Sequence, residues 1–263
     1  MSWQSLPPSE DVEAAGWIGE RLHPFAQDVG SVIPAGFAAY ARILHPASAS
    51  RDWVPVDVRW STVASWSGRT VHPEMQFHAI ASPIEPGETD GPMPWSGEPR
   101  LGVLSKAQMT ALADVLPAFT STPKACWLCL WDGYGYVTGA VFSFQFAQGP
   151  APAAARRPRR WNLSMPVPKG RGNLPDRKRV RLPARDYLLF RGSIANAEGW
   201  EDGPNLWWPD DHAWCVASEI DLPYSYVGGP QNLIDAILAH PAIEALPATL
   251  AGGITYNSDK INT

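Results

Sequence analysis

The chain is short of cysteine, of long apolar runs and, over most of its length, of positive charge. Three cysteines in 263 residues exclude a disulfide-stapled scaffold. Cys126 and Cys129 form a C-x-x-C pair, the spacing of redox or zinc sites. The run from Ala125 to Trp131 nevertheless reads as a buried strand, and side chains three apart on a strand point to opposite faces. Two such sulfurs cannot share a metal or a disulfide. A zinc site would need two further ligands, and Cys215 supplies only one. All three are expected to be inert core thiols, and neither a metal nor a cofactor is expected.

No stretch approaches the length of a membrane span. Met1 to Glu13 has neither the basic start nor the apolar run of a secretory signal. These absences predict a soluble, cytoplasmic protein without a membrane partner. There is no G-x-S-x-G, no H-E-x-x-H, no phosphate loop and no dinucleotide fingerprint, which counts against the common hydrolase, kinase and dehydrogenase classes. His72 and His78 lie six apart, a spacing that does not align them on one helix face for a two-histidine metal site.

What the chain does have is tryptophan, proline and a charge imbalance. Thirteen tryptophans supply much buried area per residue, and 27 prolines imply short elements and long irregular loops. Between Arg156 and Arg191 lie twelve of the 21 basic residues against two acidic ones, a net of about +10. The remainder holds 9 basic and 24 acidic residues, about −15. The basic segment is expected to bind an acidic partner or to fold back on its own acidic body.

The elements read as one α+β domain over residues 1–263, an antiparallel sheet flanked by helices. Helices are expected over Ser9 to Leu22, around Val63 to Trp66, over Pro73 to Ile80, over Ser105 to Leu116 (with Ser105 and Gln108 as a capping box), from Pro230 to His240 and from Pro241 to Leu246. Phe37 to Leu44 fits either a strand or a helix. Strands are expected over Cys126 to Trp131, Tyr136 to Phe146, Asp186 to Arg191 and Trp214 to Leu222. Ser82 to Gly102 reads as a loop, residues 148–182 as a mobile basic loop rich in proline and arginine, and residues 252–263 as a polar tail.

Four stretches carry a resemblance when taken together: Arg59-Trp-Ser-Thr-Val-Ala-Ser-Trp-Ser-Gly68, Cys126-Trp-Leu-Cys-Leu-Trp-Asp-Gly-Tyr-Gly135, Arg185-Asp-Tyr-Leu-Leu-Phe-Arg-Gly192 and the run from Asn205 to Leu222. Their order resembles an uncharacterised family of actinobacterial cytosolic proteins, over about Val29 to Leu246, and that resemblance implies no activity. Pro34-Ala-Gly-Phe37, with the acidic, tryptophan-containing body, is also similar to Smi1/Knr4-like immunity proteins, which implies an α+β fold and no particular site residue.

The densest functional-looking stretch is Trp207 to Trp214. Two carboxylates (Asp210, Asp211) and His212 between Trp207, Trp208 and Trp214 could bind a sugar, a base or a metal. The alternative is a turn feeding a strand, with the tryptophans packed on the core. Glu219 and Asp221 fall two apart on the expected strand, roughly 6.5 Å, the separation of an acid–base pair across a glycosidic bond; a solvated strand face gives the same pattern. Arg156, Arg157, Arg159 and Arg160 beside Trp161 suit phosphate contact and base stacking, against the repulsion of an acidic body. The leading expectation is a non-enzymatic binding protein whose partner is another protein, through Trp and Arg contacts. The alternatives are a small-molecule binder or divergent hydrolase with a Trp-walled acidic pocket, and association with nucleic acid through the basic loop.

Overall fold

The computed structural model describes residues 5–25, 27–51, 53–84, 89–134, 137 and 177–263. The expected strand Tyr136 to Phe146 lies outside them except for Val137, as does the basic segment before Arg177.

Ten strands and six helices are described. They are α1 (Gly16–Gly19), β1 (Ala39–Leu44), β2 (Ala47–Arg51), β3 (Val54–Val58), α2 (Trp60–Ser67), α3 (Phe77–Ile80), α4 (Lys106–Val115), β4 (Cys126–Trp131), β5 (Val180–Leu182), β6 (Arg185–Gly192), α5 (Ile194–Glu198), β7 (Leu206–Pro209), β8 (Cys215–Ala217), β9 (Tyr224–Gly229), α6 (Gln231–Ala239) and β10 (Ala245–Ala248). Eight strands form one sheet in the order β10-β1-β9-β8-β7-β4-β6-β5, and β2-β3 form a separate two-stranded ribbon. Every described strand pairing is antiparallel. The fold is α+β, with helices on both faces of the sheet.

Alternation on the central strands builds two cores. Cys126, Leu128 and Leu130 of β4 pack with Met109 and Leu112 of α4 and with Leu233, Ile234 and Ile237 of α6. Trp127 and Cys129 face the other way, onto Ile18 of α1, Trp60 and Val63 of α2, and Phe77 and Ile80 of α3. A strand buried on both sides must be apolar throughout, which explains the unbroken Cys-Trp-Leu-Cys-Leu-Trp run. The neighbouring strand β7 does the same with its two adjacent tryptophans: Trp207 enters one core and Trp208 the other. Cys126 and Cys129 are buried on opposite faces, as the strand reading requires.

Several elements differ from their expectations. Ser9 to Leu22 is not one helix. A 3₁₀ turn over Val12–Ala15 runs into the four-residue α1, where Gly16 and Gly19 weaken helix propagation. Pro241 to Leu246 does not form a helix; residues 245–248 are the edge strand β10, where a proline such as Pro247 can turn its missing donor away from the ladder. The expected strand Trp214 to Leu222 ends at Ala217. The expected basic loop closes earlier than residue 182, because Val180–Leu182 pair with β6 at the sheet edge. Residues 252–263 are not a free tail. Asp259 and Asn262 are buried, and the Asn262 amide accepts from Thr70 N–H and donates to Thr70 C=O.

Candidate functional site

The structure disperses the residues that looked like a pocket. Trp207, Trp208 and Trp214 are wholly buried, so they are core rather than the walls of an open cleft. Trp207 and Trp214 meet edge to face at 5.1 Å, an arrangement of aromatic pairs that adds to their area burial. Asp210, Asp211 and His212 form the turn between β7 and β8. Asp210 accepts from the Trp127 indole at 2.8 Å and from Arg191 at 3.1 Å. Asp211 accepts from the Thr120 and Ser121 hydroxyls and the Ser121 N–H. Burial alone would raise the Asp211 carboxyl, but the Ser121 and Thr120 hydrogen bonds outweigh it and hold it below the usual value. His212 stacks on Trp17 at 4.6 Å. These are the duties of a pinned turn.

Glu219 and Asp221 sit at the other end of the β7–β8 hairpin, about six residues of strand or roughly 20 Å away. They belong to a turn in which Leu222 N–H donates to Glu219 C=O, not to one strand face, so the strand-spacing derivation of an acid–base pair falls. Both bind the guanidinium of Arg185, at 2.8 and 2.7 Å. The adjoining cavity, about 20 Å³, holds roughly one water molecule. Among the described residues no group of three or more His, Cys, Asp or Glu side chains could hold a metal ion.

The basic segment folds back where it is described. Arg177 pairs with Glu10, Arg179 with Asp132, Arg181 with Asp186, Arg185 with Glu219 and Asp221, and Arg191 with Asp210. Four of the segment's six described basic residues, Arg177, Arg179, Arg185 and Arg191, thus pair with carboxylates of the body, while the partner of Arg181 belongs to the segment itself. Arg156, Arg157, Arg159, Arg160 and Trp161 lie outside the described residues.

A different feature stands out in solvent. Ala47 and Val58, at the base of the β2–β3 ribbon, are buried. At its tip Trp53 is 97% exposed and Val54 is 59% exposed. Arg51 pairs with Val54, and Trp53 precedes Val54 at the tip. Two-residue hairpin turns strongly favour Asp-Gly or Asn-Gly, because the second central position needs positive φ. This chain has Trp53 there, at φ 65°. Left-handed backbone costs a residue with a Cβ roughly 1–2 kcal/mol, and a bulky side chain in that region is a true outlier. An indole replaces the expected glycine, and the fold gives it nothing to pack against.

The base of the ribbon is fixed from three sides. Ser48 exchanges backbone hydrogen bonds with Ser96 and Gly97 at 2.8–3.0 Å. His45, just before β2, is fully buried. Its Nδ1 donates to the Arg100 carbonyl at 2.7 Å, which fixes the tautomer. Its Nε2 therefore accepts from the Ser225 hydroxyl at 2.8 Å, and Ser225 is bonded in turn to Ser218 at 2.6 Å. Burial pulls the His45 pKa down to about 4, so the ring is neutral. Just after β3, the Glu244 carboxylate accepts from the first two N–H groups of α2, at Trp60 (2.6 Å) and Ser61 (2.7 Å), where a negative charge also suits the helix dipole. The ribbon is a braced arm of about 16 Å with an indole at its end.

This arm has only a weak local signature. Its signal was an Asp52-Trp53 pair between two short runs of small and β-branched residues, a turn spacing with the wrong turn residue. No family model, no curated protein and no solved structure matches the chain.

Proposed function

We propose that the protein is a non-catalytic binding protein that engages another protein through the β2–β3 arm, with Trp53 as the anchor. The observation that carries this reading is an almost wholly exposed tryptophan held in strained backbone at the tip of a braced hairpin. Strain of this kind persists where the surrounding structure imposes it and clusters at functional positions. An indole presents roughly 200 Å², and burying it at about 25 cal/mol/Å² is worth about 5 kcal/mol before ordering costs. Tryptophan is accordingly the residue most enriched among interface hot spots. The partner is a protein with an apolar pocket that admits one indole beside an aliphatic contact for Val54. An immunity-like role, in which a partner is neutralised by tight binding, is one form of this reading.

The dispersal of the acidic candidates supports a binding role over the hydrolase alternative. Each of Asp210, Asp211, Glu219 and Asp221 is engaged by donors from its own fold. The pairing of Arg177, Arg179, Arg185 and Arg191 with body carboxylates likewise favours a protein partner over nucleic acid.

The test compares the wild-type chain with Trp53→Ser as baits in native lysate, read by quantitative mass spectrometry. Both baits should melt alike, because the side chain is solvated. A partner enriched by the wild type should fall at least tenfold with the variant, the loss expected for roughly 1.4 kcal/mol or more at a hot spot. Identical enrichment by both baits would overturn the assignment of the arm.

A further inference from the structure

The C-terminal segment and the end of α3 line a groove of about 470 Å³, within the size range of small-molecule sites. One wall holds Arg69, just after α2, with His78 and Ser82; the other holds Tyr256 and Lys260. Both walls are fixed by the fold. The Ser258 hydroxyl accepts from Thr255 N–H at 2.9 Å, and Ser258 N–H donates to the Thr255 carbonyl at 3.0 Å, which closes the turn that carries Tyr256. Asn262 ties the segment to Thr70, the neighbour of Arg69. Arg69 Nε donates to the Ser82 carbonyl at 2.8 Å. That bond holds the guanidinium in place and leaves its two Nη groups without an acceptor among the described residues.

Two features of the groove have no use within the fold. The first is an aromatic platform. The Tyr256 ring lies parallel to the His78 ring, with centroids 3.5 Å apart and 7° between the planes. His78 covers one face, yet Tyr256 is 70% exposed, so its other face lies in water. Burial lowers the His78 pKa, and the imidazole backs the platform as a neutral ring. The second is a pair of cations. Arg69 and Lys260 form no ion pair among the described residues, in a chain whose charge outside the basic segment is about −15. Asp259, whose side-chain carboxylate also belongs to the groove, is 3% exposed and committed to the N–H groups of Gln76, Ile261 and Asn262.

We propose that this groove binds a nucleoside monophosphate, with the base stacked on the open face of Tyr256 and the phosphate held by Arg69 and Lys260. Every base has a π-face that stacks on an aromatic ring. The free Nη groups of Arg69 suit the oxygens of a phosphate, and Lys260 adds a point charge. An exposed ion pair alone is worth little in water, so the site selects a ligand that carries the planar ring and the anion together. A nucleic-acid strand is disfavoured, because it needs a positive track along successive phosphates and two cations match only one nucleotide. The site shares no residue with the β2–β3 arm, and its test is independent of any protein partner.

The experiment titrates the full chain with AMP, adenosine, ribose 5-phosphate and hexaadenylate by calorimetry at constant ionic strength. AMP should bind saturably with a Kd below about 1 mM, and about tenfold or more tighter than adenosine or ribose 5-phosphate, each of which lacks one of the two groups. Tyr256→Ala should weaken AMP by about tenfold, whereas Tyr256→Phe, which keeps the ring face, should retain it. Lys260→Gln should weaken AMP and leave the weaker adenosine binding unchanged. Tyr256 and Lys260 are exposed, so these variants should melt like the wild-type chain. Absence of saturable AMP binding, adenosine binding as tightly as AMP, or undiminished AMP binding by Tyr256→Ala each overturns the proposal. Hexaadenylate binding more than about tenfold tighter than AMP also overturns it, because the groove would then belong to a nucleic-acid strand.

Discussion

Protonating His45 would place a charge where no solvent reaches, with its Nε2 already committed to accepting from Ser225. The folded chain therefore resists the proton down to a pKa of about 4, whereas the unfolded chain takes it up near 6.5. In that window the unfolded state binds more protons, so stability is complete above about pH 6.5 and falls as pH drops towards 4. The gap corresponds to about 3 kcal/mol. Urea unfolding at pH 7.5 and 4.5 should show a loss of this order, and His45→Gln, which cannot titrate, should flatten the profile while being less stable at neutral pH. An equal pH dependence in the variant would remove His45 as the cause. The thiols make a second prediction at this scale. Burial raises the Cys126 pKa to about 12 and that of Cys129 further still, so neither supplies thiolate at neutral pH. A thiol reagent should label both only at the rate of unfolding.

Among the elements, the C-terminal segment contributes more to the fold than its polar composition suggests. Asp259 accepts hydrogen bonds from the N–H groups of Gln76, Ile261 and Asn262 and from the Asn262 amide, and it pairs with His72. These bonds outweigh its burial and lower its pKa to about 2. Asp259→Ala would leave several buried donors unmatched and should cost about 2–4 kcal/mol, measured by chemical unfolding at pH 7. A change below about 0.5 kcal/mol would mean that the segment is the tail its composition suggested. The elements legible from sequence were those with local signals: the capping box at Ser105 and Gln108, which forms as expected, the two-sided apolar run of β4, and the amphipathic α6. Those missed depend on distant partners. Polar residues 257–263 pack because loop N–H groups near Thr70 and Gln76 need acceptors, and a helix or strand template carries no trace of that. β10 is a strand because β1 has a free edge. Glu219 and Asp221 leave the strand pattern because a guanidinium 34 and 36 residues away in sequence gathers them. Trp207 and Trp208 read as a binding surface because nothing local distinguishes an exposed tryptophan pair from a strand buried on both faces.

For the molecule as a whole, the sheet forms a well-filled body, and its unusual chemistry sits at the margins. All three non-glycine residues with positive φ among the described residues, Trp53, Ala184 and His212, occupy hairpin tips. Ala184 is small, and His212 is stacked on Trp17. Trp53 alone combines the strain with a large apolar surface left in water. A protein selected only for stability would carry glycine there, since strained tips are relieved at no packing cost. The central claim is that Trp53 is kept for a partner and against stability, and Trp53→Gly separates the two. Chemical unfolding of the variant should show a gain of about 1 kcal/mol, while capture of the partner found with the wild-type chain drops at least tenfold. Undiminished capture, or a variant less stable than the wild type, would contradict the account.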